Sequence, residues 1–222
     1  MKKISLFFGV LIALTISAMG QYKISDGINF SQPLQIDSSN YFVFGGLMDK
    51  ANKCKYSSGG TDIYNSAIAL TGWTNLFIYN AESKHAKKLF SINPVLIYPV
   101  TQVYMNSTYY YGSYKGNMNS AILKDCILIA TKTDEFNKDG IIDEDDPVYL
   151  FISSKDGSNI VQITPKDVNI TTWQLSKDGK TILVLGQKDK NGDKKFSSED
   201  EMLFQIDLSS DFSKIKMSLI NL

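Results

Sequence analysis

No arginine occurs in the 222 residues, so all 23 basic side chains are lysines, and 23 acidic residues balance them to a net charge of zero. Surfaces that read nucleic acid or phosphate carry a basic excess and use the bidentate guanidinium fork. This chain has neither, which excludes nucleic acid as a partner. A single histidine, His85, rules out chemistry that needs two. Cysteine is nearly absent too: Cys54 and Cys126 are the only two, and no Cys/His group has the spacing of a zinc site. Outside Leu6–Ile16 no long apolar run exists, and that one is too short to cross a bilayer as a permanent helix. No stretch of a dozen residues keeps a 3.6-residue apolar period, so helical bundles are excluded. With 43% hydrophobic residues the chain is nevertheless rich enough to build a core.

The first twenty residues look like an address. Lys2 and Lys3 precede the apolar run, and Ser17-Ala18-Met19-Gly20 follows it. A basic end, a short apolar stretch and small residues at the cleavage point are the parts of a secretory signal peptide. Residues 1–20 are therefore expected to be removed, leaving residues 21–222 as a secreted or periplasmic domain with no membrane span. Without Lys2 and Lys3, 21 lysines face 23 acids, a net charge of −2. Export permits a disulfide between Cys54 and Cys126. The other reading makes Cys126, at the head of Cys126-Ile-Leu-Ile-Ala130, a buried strand residue.

What remains reads as β-structure. Short runs rich in Val, Ile, Tyr, Phe and Thr recur between clusters of Gly, Asn, Asp, Ser and Lys. Three of them have the same length and end at an aspartate: Tyr41 to Asp49, Cys126 to Asp134 and Thr181 to Asp189. A polar loop follows each, then a second strand (Asn75–Tyr79, Val148–Ile152 and Met202–Ile206). Shorter strands close the units at Lys88–Ser91, Ile160–Thr164 and Ile215–Leu219, and lead-in strands start at Ile28 and Val168. The expected fold is all-β, with four-stranded antiparallel blades in units of about 28–92, 95–165 and 167–220. Repeated sheets, none able to bury both faces alone, are what a β-propeller stacks.

The segment Asp156-Gly-Ser-Asn-Ile-Val-Gln-Ile-Thr-Pro165, followed by Trp173-Gln-Leu-Ser-Lys-Asp-Gly-Lys-Thr-Ile182, resembles the blade-to-blade signature of TolB-like β-propellers. The resemblance implies that the first part closes one blade and the second opens the next; it implies a fold and no particular activity. Members of that family usually have six blades, and this chain holds about three. The resemblance therefore leaves an open or small propeller, or a ring completed by dimerisation.

Two acidic loops carry the most specific signal. Asp189-Lys-Asn-Gly-Asp-Lys-Lys-Phe-Ser-Ser-Glu-Asp200 places oxygen side chains at positions 1 (Asp189), 3 (Asn191), 5 (Asp193) and 12 (Asp200), with the Lys195 carbonyl at position 7. This is the ligand pattern of EF-hand and dockerin-type calcium loops, where alternate residues of a tight turn present hard oxygens. Lys194 stands where position 6 is usually glycine, and Phe196 is expected to pin the loop to the core. The loop of the second unit aligns without gaps from Asn137, giving Asn137, Asp139, Ile141 (through its carbonyl) and Asp146 as counterparts. Either Asp134 or Glu135 takes its first position. Both loops are expected to hold Ca2+ as clips on strand connections, at the affinities an extracellular calcium level allows. The first unit's loop, Lys50 to Thr74, has one acid, Asp62, and is expected to bind no metal.

No nucleophile elbow, phosphate-cradling glycine loop or His-x-x-His pair occurs, and His85 is expected in an exposed hairpin turn. The chain reads as non-catalytic, a module binding a protein or cell-envelope component, with a second copy of itself as a further partner. The alternative is a carbohydrate-binding module or glycan-active enzyme using the Tyr104–Tyr114 region. Tyr109, Tyr110, Tyr111 and Tyr114 lie there among Ser, Gly and Asn, the chemistry of an adaptable binding surface. Asn106-Ser-Thr and Asn169-Ile-Thr fit the glycosylation acceptor pattern.

Overall fold

The structure is a computed structural model describing residues 29–30, 33–36, 39–47, 75–91, 102–104, 122–140, 142–143 and 145–221. The N-terminal address, Cys54, the first unit's loop, Ile141, Asn106 and the tyrosines from 109 to 114 lie outside the described residues.

The described chain is all-β and forms three antiparallel sheets. Sheet 1 contains β1 (Asn29–Phe30), β2 (Leu34–Gln35), β3 (Tyr41–Leu47), β4 (Asn75–Asn80) and β5 (His85–Lys88). Its lead-in is interrupted, so β1 and β2 both pair with β3. Sheet 2 runs β6 (Gln102–Tyr104), β7 (Cys126–Thr131), β8 (Tyr149–Ser154) and β9 (Ile160–Gln162). Sheet 3 runs β10 (Val168–Leu175), β11 (Thr181–Lys188), β12 (Glu201–Asp207) and β13 (Lys216–Leu219). In sheets 2 and 3 the neighbours in space follow the order in sequence, and sheet 1 does so from β3 onward, the meander expected from the repeats.

Two strand positions differ from expectation. The closing strand of sheet 1 is His85–Lys88 and not Lys88–Ser91. The Asn80 side chain accepts hydrogen bonds from the amides of Glu82 and Ser83, which tightens the turn. Lys84 ends it in the left-handed region at φ 54°, and pairing resumes at once with Asn80 opposite His85. His85 is thus the exposed first residue of a strand and not part of the turn. Sheet 2 also has a lead-in strand, β6, paired with β7 from Gln102 opposite Ala130. Three residues are too few to show an alternation.

The two Asp-Gly turns follow one plan. In Ser154-Lys-Asp-Gly157 and Ser176-Lys-Asp-Gly179 the glycine amide donates to the serine carbonyl at 2.8 and 2.9 Å. The glycines hold φ of 67° and 65°, which a side chain would strain. The aspartate carboxylate collects the serine hydroxyl, at 2.7 Å for Asp156 and 2.6 Å for Asp178.

The sheets stack face to face in chain order. One core joins sheets 1 and 2: Val43, Leu76 and Ile78 meet Ile127, Ile129, Tyr149 and Phe151. A second joins sheets 2 and 3: Leu128, Leu150 and Ile152 meet Trp173, Ile182, Val184, Phe204 and Ile206. The middle sheet is therefore buried on both faces, as the unbroken burial of Cys126–Thr131 shows. Its strands read as continuous apolar runs and not as alternating ones for that reason.

Candidate metal loops

The connections β7–β8 and β11–β12 leave the same end of neighbouring sheets, and they share a backbone path. Lys138 and Gly140 lie in the left-handed region at φ 65° and 93°, and Gly192 and Lys194 match them at 76° and 61°. Each loop thus needs two left-handed residues, and each supplies one lysine and one glycine in opposite order. Lys194 does not break the turn; it adopts the conformation of the glycine it replaces, at a steric cost of about 1–2 kcal/mol.

The acidic side chains hold this path together. The Asn137 Oδ1 accepts from the Asp139 amide at 3.0 Å, and Asn191 Oδ1 from Asp193 at 2.9 Å. The Asp193 Oδ1 in turn accepts from the Lys195 amide at 2.9 Å. Position 1 reaches across to the amide of position 6: Glu135 to Gly140 at 2.6 Å, and Asp189 to Lys194 at 3.2 Å. That contact decides between the two carboxylates at the start of the first loop. Glu135 takes the place equivalent to Asp189, whereas Asp134 turns away to an ion pair with Lys166 at 2.7 Å. Position 12 ties the end of each loop back: Asp146 accepts from Phe136 at 2.7 Å and from Asp143 at 3.0 Å. Asp200 accepts from the Ser197 amide at 3.1 Å and hydroxyl at 2.9 Å. Asp146 is buried, and burial pushes its carboxyl above the usual range, against the amides it accepts from and the nearby Lys132.

The carboxylates are thus turned onto the loops' own amides. Among the described residues no three His, Cys, Asp or Glu side chains are grouped to hold a metal ion. Glu135, Asn137, Asp139 and Asp146 in the first loop and Asp189, Asn191, Asp193 and Asp200 in the second all bond within their own loop, whereas the predicted ligand Asp134 is drawn off to Lys166.

Several residues at this end were not read from the sequence. Lys132, buried, donates its ammonium to the carbonyls of Asp143 (2.7 Å) and Asp146, a cation built into the first loop. In the second loop Gln187 donates to the Ser197 carbonyl at 2.9 Å, at the loop position equivalent to Asp143. Gln187 in turn accepts from Asn169 at 2.8 Å, and Asn169 accepts from the Val148 amide at 2.9 Å. These bonds occupy the Asn169 amide in a chain that runs from the exit of one loop into the other. A lysine or glutamine near a strand end looks solvent-exposed in sequence, and only the register reveals the carbonyl it meets.

Phe196 differs from expectation as well. Half-buried, it meets Phe136 of the neighbouring loop, with ring centroids 5.3 Å apart and planes tilted by 31°, and is in neither apolar core. A polar cleft of about 560 Å³ lies between the loops, bordered by Asn137, Asn169, Gln187, Asp193 and Lys194. Cys126 is buried and makes no disulfide among the described residues, and burial pushes its thiol up to about 11.

No protein-family model matches the chain, and no curated protein matches it.

Proposed function

We propose that this is an exported, non-catalytic, β-propeller-like module whose two acidic loops bind calcium and which docks a protein or cell-envelope component. The observation that carries the reading is the shared loop: two connections at the same place in neighbouring sheets have left-handed residues at the same two positions and aligned oxygen donors. Two independent surface turns have no reason to agree at that level of detail. The donor chemistry fits a hard cation, since Asp189, Asn191, Asp193, the Lys195 carbonyl and Asp200 offer only oxygens to an ion that takes six to eight, water among them. In the first loop Glu135, Asn137, Asp139 and Asp146 are the equivalent donors, with Asp134 left to its ion pair. Each loop joins the two middle strands of a sheet and is flanked by no helix pair, so calcium acts here as a clip that orders the connection and not as a switch that opens a groove. Three meandering sheets stacked in chain order, with the Asp-Gly turns of the TolB-like signature, support the propeller-like part of the reading.

The test is thermal unfolding with excess calcium and with chelator. A site held at 100 times its dissociation constant adds about 2.7 kcal/mol, which for about 200 residues raises Tm by roughly 5–11 °C. Asp193→Ala is expected to remove most of that rise. Equal Tm values in calcium and chelator would overturn the calcium reading.

A further inference from the structure

Asn191 is the only asparagine in the chain that is followed by glycine. An asparagine so placed is open to attack by the next backbone nitrogen, because glycine has no Cβ to shield it. The pair lies in the second acidic loop, where Asn191, Gly192 and Asp193 are all exposed. A Cβ placed on Gly192 would meet no atom within 4 Å, so the turn is open on that side. The first loop lacks the pair. Its equivalent asparagine, Asn137, precedes Lys138, which holds the same left-handed place at φ 65° as Gly192 does at 76°. The exchange of lysine and glycine between the loops therefore leaves one asparagine beside an unshielded nitrogen and the other beside a shielded one.

Three hydrogen bonds in the turn bear on that attack. The Gly192 amide donates to Asp189 Oδ1 at 2.7 Å, and a carboxylate acceptor draws on the N–H and leaves the nitrogen richer in electrons. The Asp193 amide donates to Asn191 Oδ1 at 2.9 Å, where negative charge gathers when Cγ becomes tetrahedral. Asn191 Nδ2 donates to Asp193 Oδ2 at 3.0 Å, which holds the side-chain amide in place. The first loop shares the last two: Asn137 Oδ1 accepts from the Asp139 amide at 3.0 Å, and its Nδ2 donates to the Asp139 carboxylate at 3.1 Å. With the turns so alike, the residue that follows is what sets the two asparagines apart.

We infer that Asn191 is a site of spontaneous deamidation, which changes the charge of the second loop. The Gly192 nitrogen loses its proton to a solvent base and bonds to Asn191 Cγ. The tetrahedral centre collapses with cleavage of the Cγ–Nδ2 bond, and Nδ2 takes up a proton from solvent and leaves as ammonia. Water then opens the succinimide. Cleavage at Cγ restores the original backbone with aspartate in place of asparagine, and cleavage at the backbone carbonyl leaves isoaspartate. One water is consumed and one ammonia released, with no change of oxidation state. Either product adds a negative charge at position 3 of the loop. The modification does not depend on the calcium reading. Its effect on a metal does, since charge count tunes a calcium loop's affinity, and an ion held by Asp189 and Asn191 would pin both side chains.

The test holds the purified, folded protein in mildly alkaline buffer with chelator and follows each asparagine by peptide mass spectrometry, with chromatography to separate the isomers. Asn191 is expected to convert to aspartate and isoaspartate while Asn137 keeps its amide. Gly192→Lys, which copies the first loop, is expected to stop conversion at Asn191. Lys138→Gly, which copies the second, is expected to start it at Asn137. Should Gly192→Lys fail to fold, Lys138→Gly carries the comparison. An Asn191 that keeps its amide in the folded protein, an Asn137 that converts as fast in the unaltered chain, or a Lys138→Gly protein that leaves Asn137 intact overturns the inference. Excess calcium is expected to slow conversion at Asn191. Equal rates in calcium and chelator overturn the calcium reading of this loop and leave the modification site standing.

Discussion

Cys126 opens β7 and faces the core between sheets 2 and 3, where it is 7% exposed. Its thiol titrates at about 11 against an ordinary value of 9.0, chiefly because burial penalises the thiolate, with Asp125 adding to the effect and Lys155 opposing it. Above pH 9 the unfolded chain releases this proton while the folded chain keeps it. Unfolding is therefore favoured progressively as pH rises from about 9 to 11, and the contribution is fully present only below that window. A shift of about two units corresponds to about 2.7 kcal/mol in total. Because the unfolded thiol is mostly ionised at pH 10 and the folded one is not, about 1.3 kcal/mol of it is lost between pH 8 and pH 10. The perturbation that isolates this group is Cys126→Ala. The substitution leaves a small cavity that costs the same at every pH, so the variant is less stable than wild type at pH 8 and the gap narrows by about 1.3 kcal/mol at pH 10. Urea unfolding at both pH values, followed by circular dichroism, measures the gap. A gap that stays constant would refute the reasoning, because it would mean that the thiol does not titrate differently in the folded and unfolded states.

Three further substitutions probe the end of the stack where the acidic loops lie. Gly186→Ala would place a Cβ 2.7 Å from the Asn169 carbonyl oxygen, a backbone atom that cannot swing aside, so a loss of about 1–3 kcal/mol is expected in the same urea assay. Gly140→Ala meets no atom within 4 Å and tests the left-handed backbone alone. Lys132→Met keeps the apolar stem but strips two carbonyls, those of Asp143 and Asp146, of their ammonium donor. A loss of about 1–3 kcal/mol is expected, and a neutral result would mean that water takes over the ammonium's place.

How far the sequence could be read depended on how local each feature is. The repeated strands and the Asp-Gly turns are written in residues that touch within a few positions, so they were legible. The alternation of the loop oxygens was legible for the same reason, since an Asx turn at Asn191 needs only the amide two residues on. Strand β6 was missed because Gln102-Val-Tyr104 has no pattern of its own and is a strand only by pairing with β7. The closing strand of sheet 1 was placed three residues late, because Leu89-Phe90 supplied an apolar signal that the turn at Asn80–Lys84 overrides.

The sequence by itself determined an all-β chain of repeated meanders, two loops with aligned oxygen donors and the absence of histidine-pair or guanidinium chemistry. These follow from composition and from the two-residue period of strands. Only the tertiary structure decided that Glu135 and not Asp134 stands in for Asp189, that Lys132 is buried among carbonyls, and that Phe196 leans on Phe136. It alone decided that the middle sheet is covered on both faces while the end sheets keep one apolar face each outside the two cores. The physical reason is common to all of these. Each depends on which strand lies beside which and in what register, and a shift of one residue would exchange the two faces of a sheet.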